Sequence, residues 1–115
     1  MPPEGAESPD RRPEQRANRR RHGTVRCWVS DGTVKRYASL SDLSLDGARI
    51  LTAAPPMIGV SLGLRFKLRD SGEEVRAKAR VIWRSEGFRG RGGVIGVQFT
   101  NVTGADEIAA YIGEG

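Results

Sequence analysis

The amino-acid sequence predicts an all-β protein: a small six-stranded antiparallel barrel with a flexible basic N-terminal arm and a short C-terminal helix. From residue 24 onward, apolar residues recur at every second position in several short runs, as in strands that bury one face. Gly, Pro, Asp and Ser separate these runs at short intervals, as turns require. A helical pattern occurs only near the C-terminus, so a sheet that closes on itself is expected to protect the strand edges.

The predicted barrel covers about residues 24–103. Val25, Cys27 and Val29 share one face of the first strand, and a Ser-Asp-Gly turn leads into the second. The six predicted strands cover residues 24–29, 34–40, 48–52, 60–68, 74–83 and 94–102. An amphipathic helix is predicted at about residues 104–112.

Length and composition limit the class of protein. At 115 residues the chain has room for one domain with one core. Cys27 is the only cysteine and His22 the only histidine, so the sequence offers neither an internal disulfide nor a Cys/His cluster for a metal. No apolar run is long enough for a membrane span or a signal peptide. We therefore expect a cytoplasmic protein with no cofactor, no metal and no membrane insertion.

The N-terminal segment is polar and rich in arginine. Residues 1–11 contain no Val, Ile, Leu or aromatic residue, and we expect a disordered tail there. Sixteen of the nineteen basic residues are Arg, and seven of these lie between Arg11 and Arg26. Because a guanidinium is a planar fork that binds phosphate or guanine edges, we interpret residues 12–23 as a flexible arm for a phosphate-bearing partner. A solvated tail that keeps the protein soluble explains the same charge equally well.

The sequence contains no recognisable catalytic arrangement. His22 lies in the predicted arm, where no strand fixes it for Ser/His/Asp chemistry. Asp42 and Asp46 are separated by a strand end and a turn, and this spacing does not make them face each other as an acid and a base. The glycine-rich loop at residues 87–93 opens a strand, whereas phosphate-binding loops open a helix. We therefore expect a binding protein and not an enzyme.

Two short motifs carry the functional prediction. Arg16 and Arg20 form an R-x-x-x-R, and Asp42, Ser44 and Gly47 form a D-x-S-x-x-G just over twenty residues later. Together, in this order, they resemble the signature of the PilZ domain family, and the likeness extends over about residues 12–112. The resemblance implies a six-stranded barrel that binds the bacterial second messenger cyclic di-GMP, catalyses nothing and passes the signal to a downstream effector protein.

The residue types of both motifs suit this ligand. Cyclic di-GMP carries two phosphates and two guanines, so a receptor needs cations, donors and acceptors. Arg16 and Arg20 can bind phosphate and guanine and can stack on a base. Asp42 can accept two guanine N–H bonds, Ser44 can add a hydroxyl contact, and Gly47 leaves room for the ligand. Alternatively, the second motif is an ordinary strand and turn whose Asp and Ser bond their own backbone.

Three further residues are candidates for ligand contacts. Arg49 lies on the same side of its strand as Gly47, and its counterpart contacts ligand in some PilZ proteins, although a plain surface arginine is an equal explanation. Trp83 can offer a stacking face to guanine, whereas its parity with the preceding apolar residues favours a position in the core. PilZ proteins with Arg directly before the first motif tend to bind a stacked nucleotide dimer. Here that position is Gln15, and Arg19 is the candidate to replace it.

Two other functions remain open. A nucleic-acid-binding barrel would use the basic arm to displace counterions from phosphates, but the strands lack a cluster of exposed aromatic side chains for base stacking. A PilZ-like adaptor that binds only protein is the second alternative. Such adaptors lack the two motifs, and both are present in this chain.

Overall fold

The computed structural model describes residues 20–87 and 91–114. Within them the chain forms six strands and one helix in this order: β1 (Arg21–Ser30), β2 (Lys35–Leu43), β3 (Gly47–Thr52), β4 (Ser61–Lys67), β5 (Glu74–Glu86), β6 (Gly93–Thr103) and α1 (Ala105–Glu114). The strands close into a barrel in the order β1-β2-β3-β6-β5-β4, with neighbouring strands antiparallel. The predicted six-stranded antiparallel barrel with a C-terminal helix is therefore confirmed.

The barrel interior is filled by the apolar residues of the alternating runs. In β4, and in β5 as far as Val81, every second residue is buried and the intervening residues face out, as the period of two predicts. The free thiol of Cys27 belongs to this core, and burial raises its pKa to about 12. The most deeply buried core side chains are Leu40, Leu43, Ile50, Leu64, Val75, Val81, Ile95 and Ile108.

Several strands extend beyond the predicted limits, and the extensions of β1 and β2 concern the candidate site. β1 begins at Arg21, and its first residues pair with the end of β2, where Arg21 lies opposite Leu43. Residues 21–23, predicted to belong to a flexible arm, are therefore part of the sheet. β2 continues through Leu43 because its end pairs on both sides, with Arg21 of β1 and Ala48 of β3 lying opposite Leu43. The predicted tail and the rest of the arm, residues 1–19, lie outside the described residues.

The start of β1 is attached to the C-terminal helix. Nη1 of Arg21 donates a hydrogen bond to the carbonyl oxygen of Tyr111 at 2.8 Å, and the guanidinium lies 4.0 Å from the centre of the Tyr111 ring. The ring also covers Gly23, where a Cβ would come within 2.7 Å of the Tyr111 hydroxyl. A cation over an aromatic face and a direct hydrogen bond together fix this end of the strand. Because Arg21 is held in place, the backbone next to Arg20 is fixed as well.

Helix α1 packs one apolar face against the barrel. Gly104 precedes it with φ of 101°, a conformation that glycine adopts without strain. Asp106 and Glu107 lie in the first turn, where negative charge favours the helix dipole. The buried residues of the helix are Ile108, Tyr111 and Ile112. Within the described part of the chain, no helix has the length and apolar character needed to cross a membrane.

Candidate functional site

Asp42 lies near the end of β2, where the sheet turns its side chain outward. It pairs with His22 of β1 and with Arg49 of β3, and both of these side chains are exposed. Paired residues of neighbouring strands project to the same face, so Asp42 points to the outside of the barrel. A β-bulge between Leu40 and Asp42 breaks the alternation and allows Leu40 to face the core. The bulge therefore aims the carboxylate away from the core.

Asp42 is nevertheless almost fully buried, with 4% of the residue exposed. Nη1 of Arg20 lies 3.6 Å from its Oδ1, and Nδ1 of His22 lies 3.9 Å from its Oδ2. Neither distance is that of a hydrogen bond, and Oδ1 has no hydrogen-bond partner within the described residues. Because a buried acceptor without a donor is unfavourable, this carboxylate is suited to receive donors from a ligand.

Ser44 and Gly47 form the turn that follows Asp42. The Ser44 hydroxyl donates to Oδ1 of Asp46 at 2.7 Å and lies 3.2 Å from the carbonyl oxygen of Gly47. The backbone N–H of Ser44 also donates to the Gly47 carbonyl oxygen, at 2.9 Å. The Ser44 side chain is fully buried. Its hydrogen bonds therefore stabilise the turn between β2 and β3.

Gly47 is required by close packing of the backbone. It pairs with Gln98 of β6, and a Cβ at Gly47 would collide with the carbonyl oxygen of Val97. Its φ lies outside the left-handed region, so conformational freedom is not the reason for glycine here. The glycine lets β3 approach β6 directly beside the turn. This close packing holds the turn that follows Asp42 in place.

Trp83 lies on the outer face of the barrel, so the prediction that its parity places it in the core was wrong. A second β-bulge, between Val81 and Trp83, reverses the alternation near the end of β5. The indole is 36% exposed and lies over Gly96, where any side chain would collide with the ring. The guanidinium of Arg49 lies 5.3 Å from the centre of the Trp83 ring. A cation and an aromatic face therefore occur together on this surface.

The strand registers join these residues into one row across the sheet. Adjacent strands place side by side, in order, His22, Asp42, Arg49, Gly96 and Trp83. We call this row, together with Arg20, the Asp42 patch. It combines a buried carboxylate, two guanidinium groups, an imidazole and an indole. Among the described residues, no group of three or more His, Cys, Asp or Glu is arranged to hold a metal ion.

The patch contains some of the predicted site residues and adds one. Arg20, Asp42, Arg49 and Trp83 come together, whereas Ser44 and Gly47 support them from the turn. Arg16 and Arg19 lie outside the described residues. His22 was not predicted as a site residue, because it was assigned to the arm and not to a strand beside Asp42. Extending the alternation of β1 back by two residues would have placed His22 on the outer face.

The fold and the site define a small β-barrel with a polar and aromatic surface patch, and comparison with known proteins assigns its family. The model of the PilZ domain family matches residues 10–114. The chain therefore belongs to the PilZ domain family, as its two motifs predicted. No curated protein is significantly similar to it.

Several solved structures share its fold. One is the inhibitor of motility MotI/DgrA of Bacillus subtilis, with a TM-score of 0.69 and 13% identity over 83% of this chain and 48% of that chain. The chain thus spans about half the length of MotI/DgrA. Another is the PilZ domain of CeSA from a cellulose-synthesizing bacterium, with a TM-score of 0.57 and 24% identity over 83% of this chain and 95% of that domain.

Proposed function

We propose that this protein is a non-catalytic receptor that binds cyclic di-GMP at the Asp42 patch and passes the signal to a protein partner. Membership of the PilZ family, whose function is cyclic di-GMP binding, supports this proposal. The observation that carries it is the Asp42 carboxylate, which is buried, turned outward and without a hydrogen-bond donor at Oδ1 within the described residues. The proposal assigns the protein to the cytoplasm.

Asp42 supplies the acceptor that recognition of guanine requires. The Watson–Crick edge of guanine presents two neighbouring donors, N1–H and the N2 amino group, which match the two oxygens of one carboxylate. Since the site is shielded from water, charge-assisted hydrogen bonds formed there are stronger than those formed on an open surface.

Arginine and tryptophan side chains supply the remaining chemistry. Arg20 stands beside Asp42 with its side chain 41% exposed, so it can contact a phosphate while the neighbouring carboxylate contacts the base. Arg49 and Trp83 offer a guanidinium plane and an indole face on which a second guanine can stack. In this proposal Arg16 and Arg19 add further cations. Ser44 and Gly47 act mainly by holding Asp42 in place.

The output of the receptor is proposed to be a protein contact. MotI/DgrA, which shares the fold, is described as an inhibitor of motility, and this description fits a protein that acts on another protein. The similarity at this level of identity concerns the fold alone, so the particular partner is a separate question.

Calorimetric titration tests the proposal. The protein is titrated with cyclic di-GMP, GTP and a single-stranded oligonucleotide at a low and a high salt concentration. We expect saturable binding of cyclic di-GMP alone, and this binding should weaken with salt because cations contact the phosphates. Equal binding of the oligonucleotide, or no heat with cyclic di-GMP at tens of micromolar protein, would refute the receptor function.

Variants locate the binding in the patch. Arg16→Ala and Arg20→Ala each remove a charge-assisted contact and should weaken cyclic di-GMP binding by about tenfold to a hundredfold. Arg36→Ala is the matched control, because Arg36 is an exposed arginine of β2 that pairs with Val29 at the opposite end of the strand. Its affinity should equal that of the wild type. A loss of affinity in Arg36→Ala as large as in Arg20→Ala would indicate general charge attraction and not a site.

A further inference from the structure

A second surface depression lies on the outer face of β1, β4 and β5, around Gly63. It has a volume of about 330 Å³, and its lining includes Trp28, Gly63, Arg65, Arg76 and Lys78. We call it the Gly63 groove. On β5 it ends at Lys78, five positions before Trp83, which corresponds to roughly 17 Å along the strand. The groove is therefore separate from the Asp42 patch.

The missing side chain of Gly63 makes this groove deep, and neither packing nor backbone conformation requires a glycine at this position. It lies in the middle of β4, directly between Ser30 of β1 and Lys78 of β5. Within the described residues, a Cβ at this position would approach only the carbonyl oxygen of Ser30, at 3.9 Å. Its φ is not in the left-handed region. Because glycine weakens a strand interior and nothing in the packing requires it here, its effect is to leave room for something outside the barrel.

Positive charge surrounds the groove. Arg65 and Arg76 share Glu74, which lies 3.2 Å and 3.3 Å from them, and the hydrogen bond from Arg65 is the main cause that lowers the pKa of this carboxyl. Lys35 and Lys78 also line the groove and form no ion pair within the described part of the chain. The rim therefore carries four cations and one anion, and an acidic partner complements it.

The floor of the groove is largely apolar. Trp28 lines it and stacks on Tyr37, with ring centres 3.7 Å apart. The buried residues Leu64 and Ala77 also contribute to the lining. A nucleic-acid strand binds a line of cations with open aromatic faces between them. Here cations ring one apolar depression, and the aromatic residues are stacked on each other, an arrangement that fits a single large apolar side chain.

We propose that the Gly63 groove binds an acidic protein segment that inserts one large apolar side chain beside Trp28. The apolar anchor fills the space left open by Gly63, and acidic residues on either side of it pair with Lys35 and Lys78. An anchor in a pocket with charged residues at the rim is the usual arrangement of a small protein interface. The groove and the Asp42 patch use different residues, so this proposal stands whether or not cyclic di-GMP binds.

NMR titration of the isotope-labelled, nucleotide-free protein tests this proposal. The probe is a synthetic peptide of about ten residues made of Glu and Ser with one central Phe. The comparison probes are the same peptide with Ala in place of Phe, the same peptide with Lys in place of Glu, and a single-stranded oligothymidine. We expect the acidic Phe peptide alone to shift the Trp28 indole N–H and the amides of Gly63 and Lys78.

Variants of the groove sharpen the test. Gly63→Val fills the depression, and Lys78→Glu reverses the charge at its rim; each should weaken binding of the acidic Phe peptide by about tenfold or more. Lys67→Glu is the charge-matched control on the same face of β4, and Asp42→Asn is the control for the nucleotide site; both should bind the peptide as the wild type does. The proposal is overturned by preferential binding of oligothymidine, by no shift with any peptide, or by unchanged peptide affinity in Gly63→Val and Lys78→Glu.

Discussion

Asp42 and Ser44 are two residues apart in one motif and are both almost fully buried, but their hydrogen bonding differs. The Ser44 hydroxyl bonds within its own turn, to Asp46 and close to Gly47. The Asp42 carboxylate has cations nearby but no hydrogen bond to Oδ1 within the described residues. A buried polar group whose bonds are formed by the fold stabilises the fold, whereas one left without donors is available to a ligand. In our proposal the motif therefore has a ligand-binding end at Asp42 and a structural end at Ser44.

Asp42→Asn should produce the largest effect on binding. It replaces one acceptor by a donor that guanine N–H groups cannot use, and we expect cyclic di-GMP affinity to fall by about tenfold to a hundredfold, or roughly 1.5–3 kcal/mol. The melting temperature of the free protein should stay the same or rise, because a buried charge is removed. Calorimetry and thermal unfolding of the same preparation measure both quantities. If Asp42→Asn has a much lower melting temperature yet binds cyclic di-GMP normally, Asp42 has a structural role and not the proposed ligand-binding one.

Gly47→Ala should produce the largest effect on stability. Its methyl group would collide with the carbonyl oxygen of Val97, so β3 and β6 must move apart, at a cost of about 1–3 kcal/mol. Chemical denaturation measures the free energy of unfolding. Gly63→Ala is the matched control, because the space at Gly63 is open and the variant should be at least as stable as the wild type. Equal stability of both variants would show that Gly47 is not a packing position.

Ser44→Ala should lower the free energy of unfolding by about 1 kcal/mol, since it removes the hydrogen bond from the hydroxyl to Asp46. Its effect on cyclic di-GMP affinity should be clearly smaller than that of Asp42→Asn. The same denaturation and calorimetry experiments measure both values. If Ser44→Ala leaves stability unchanged and weakens binding as strongly as Asp42→Asn, the hydroxyl is a ligand contact.

Arg20 and Arg21 differ in the same way as Asp42 and Ser44, with smaller expected effects. Arg20 is directed to Asp42, whereas Arg21 bonds to the backbone of Tyr111 and covers its ring. Arg21→Ala should therefore lower stability by about 0.5–1 kcal/mol and change cyclic di-GMP affinity little. Thermal unfolding of Arg21→Ala beside Arg20→Ala measures the difference. A melting temperature for Arg21→Ala equal to that of Arg20→Ala would contradict a structural role for Arg21.

Local sequence patterns were sufficient to predict the barrel and its helix. The alternation in β4 and β5, the Ser-Asp-Gly turn between β1 and β2, and the amphipathic end each depend on neighbouring residues alone. Both motifs led to the correct family. The predicted ends of β1 and β2 were too short, because their outer residues are polar and only pairing between distant segments keeps them in the sheet.

The arrangement of the site was harder to predict, because two β-bulges determine it. One bulge turns Asp42 outward after Leu40, and the other turns Trp83 outward after Val81. Counting alternate residues fails at a bulge, since the extra residue is recognised only from the pairing register. His22 was missed for a related reason, because it lies close to Asp42 only through the pairing between β1 and β2.

The most direct test of the different roles within the motif is to record the side-chain carboxyl ¹³C resonances of Asp42 and Asp46 while cyclic di-GMP is added. Both carboxylates belong to one motif, but that of Asp46 already accepts the Ser44 hydroxyl at 2.7 Å. The Asp42 resonance should shift and saturate with the ligand, while the Asp46 resonance should stay in place. Saturable binding that leaves Asp42 unmoved, or that moves Asp46 by as much, would contradict the assignment of Asp42 as the guanine acceptor.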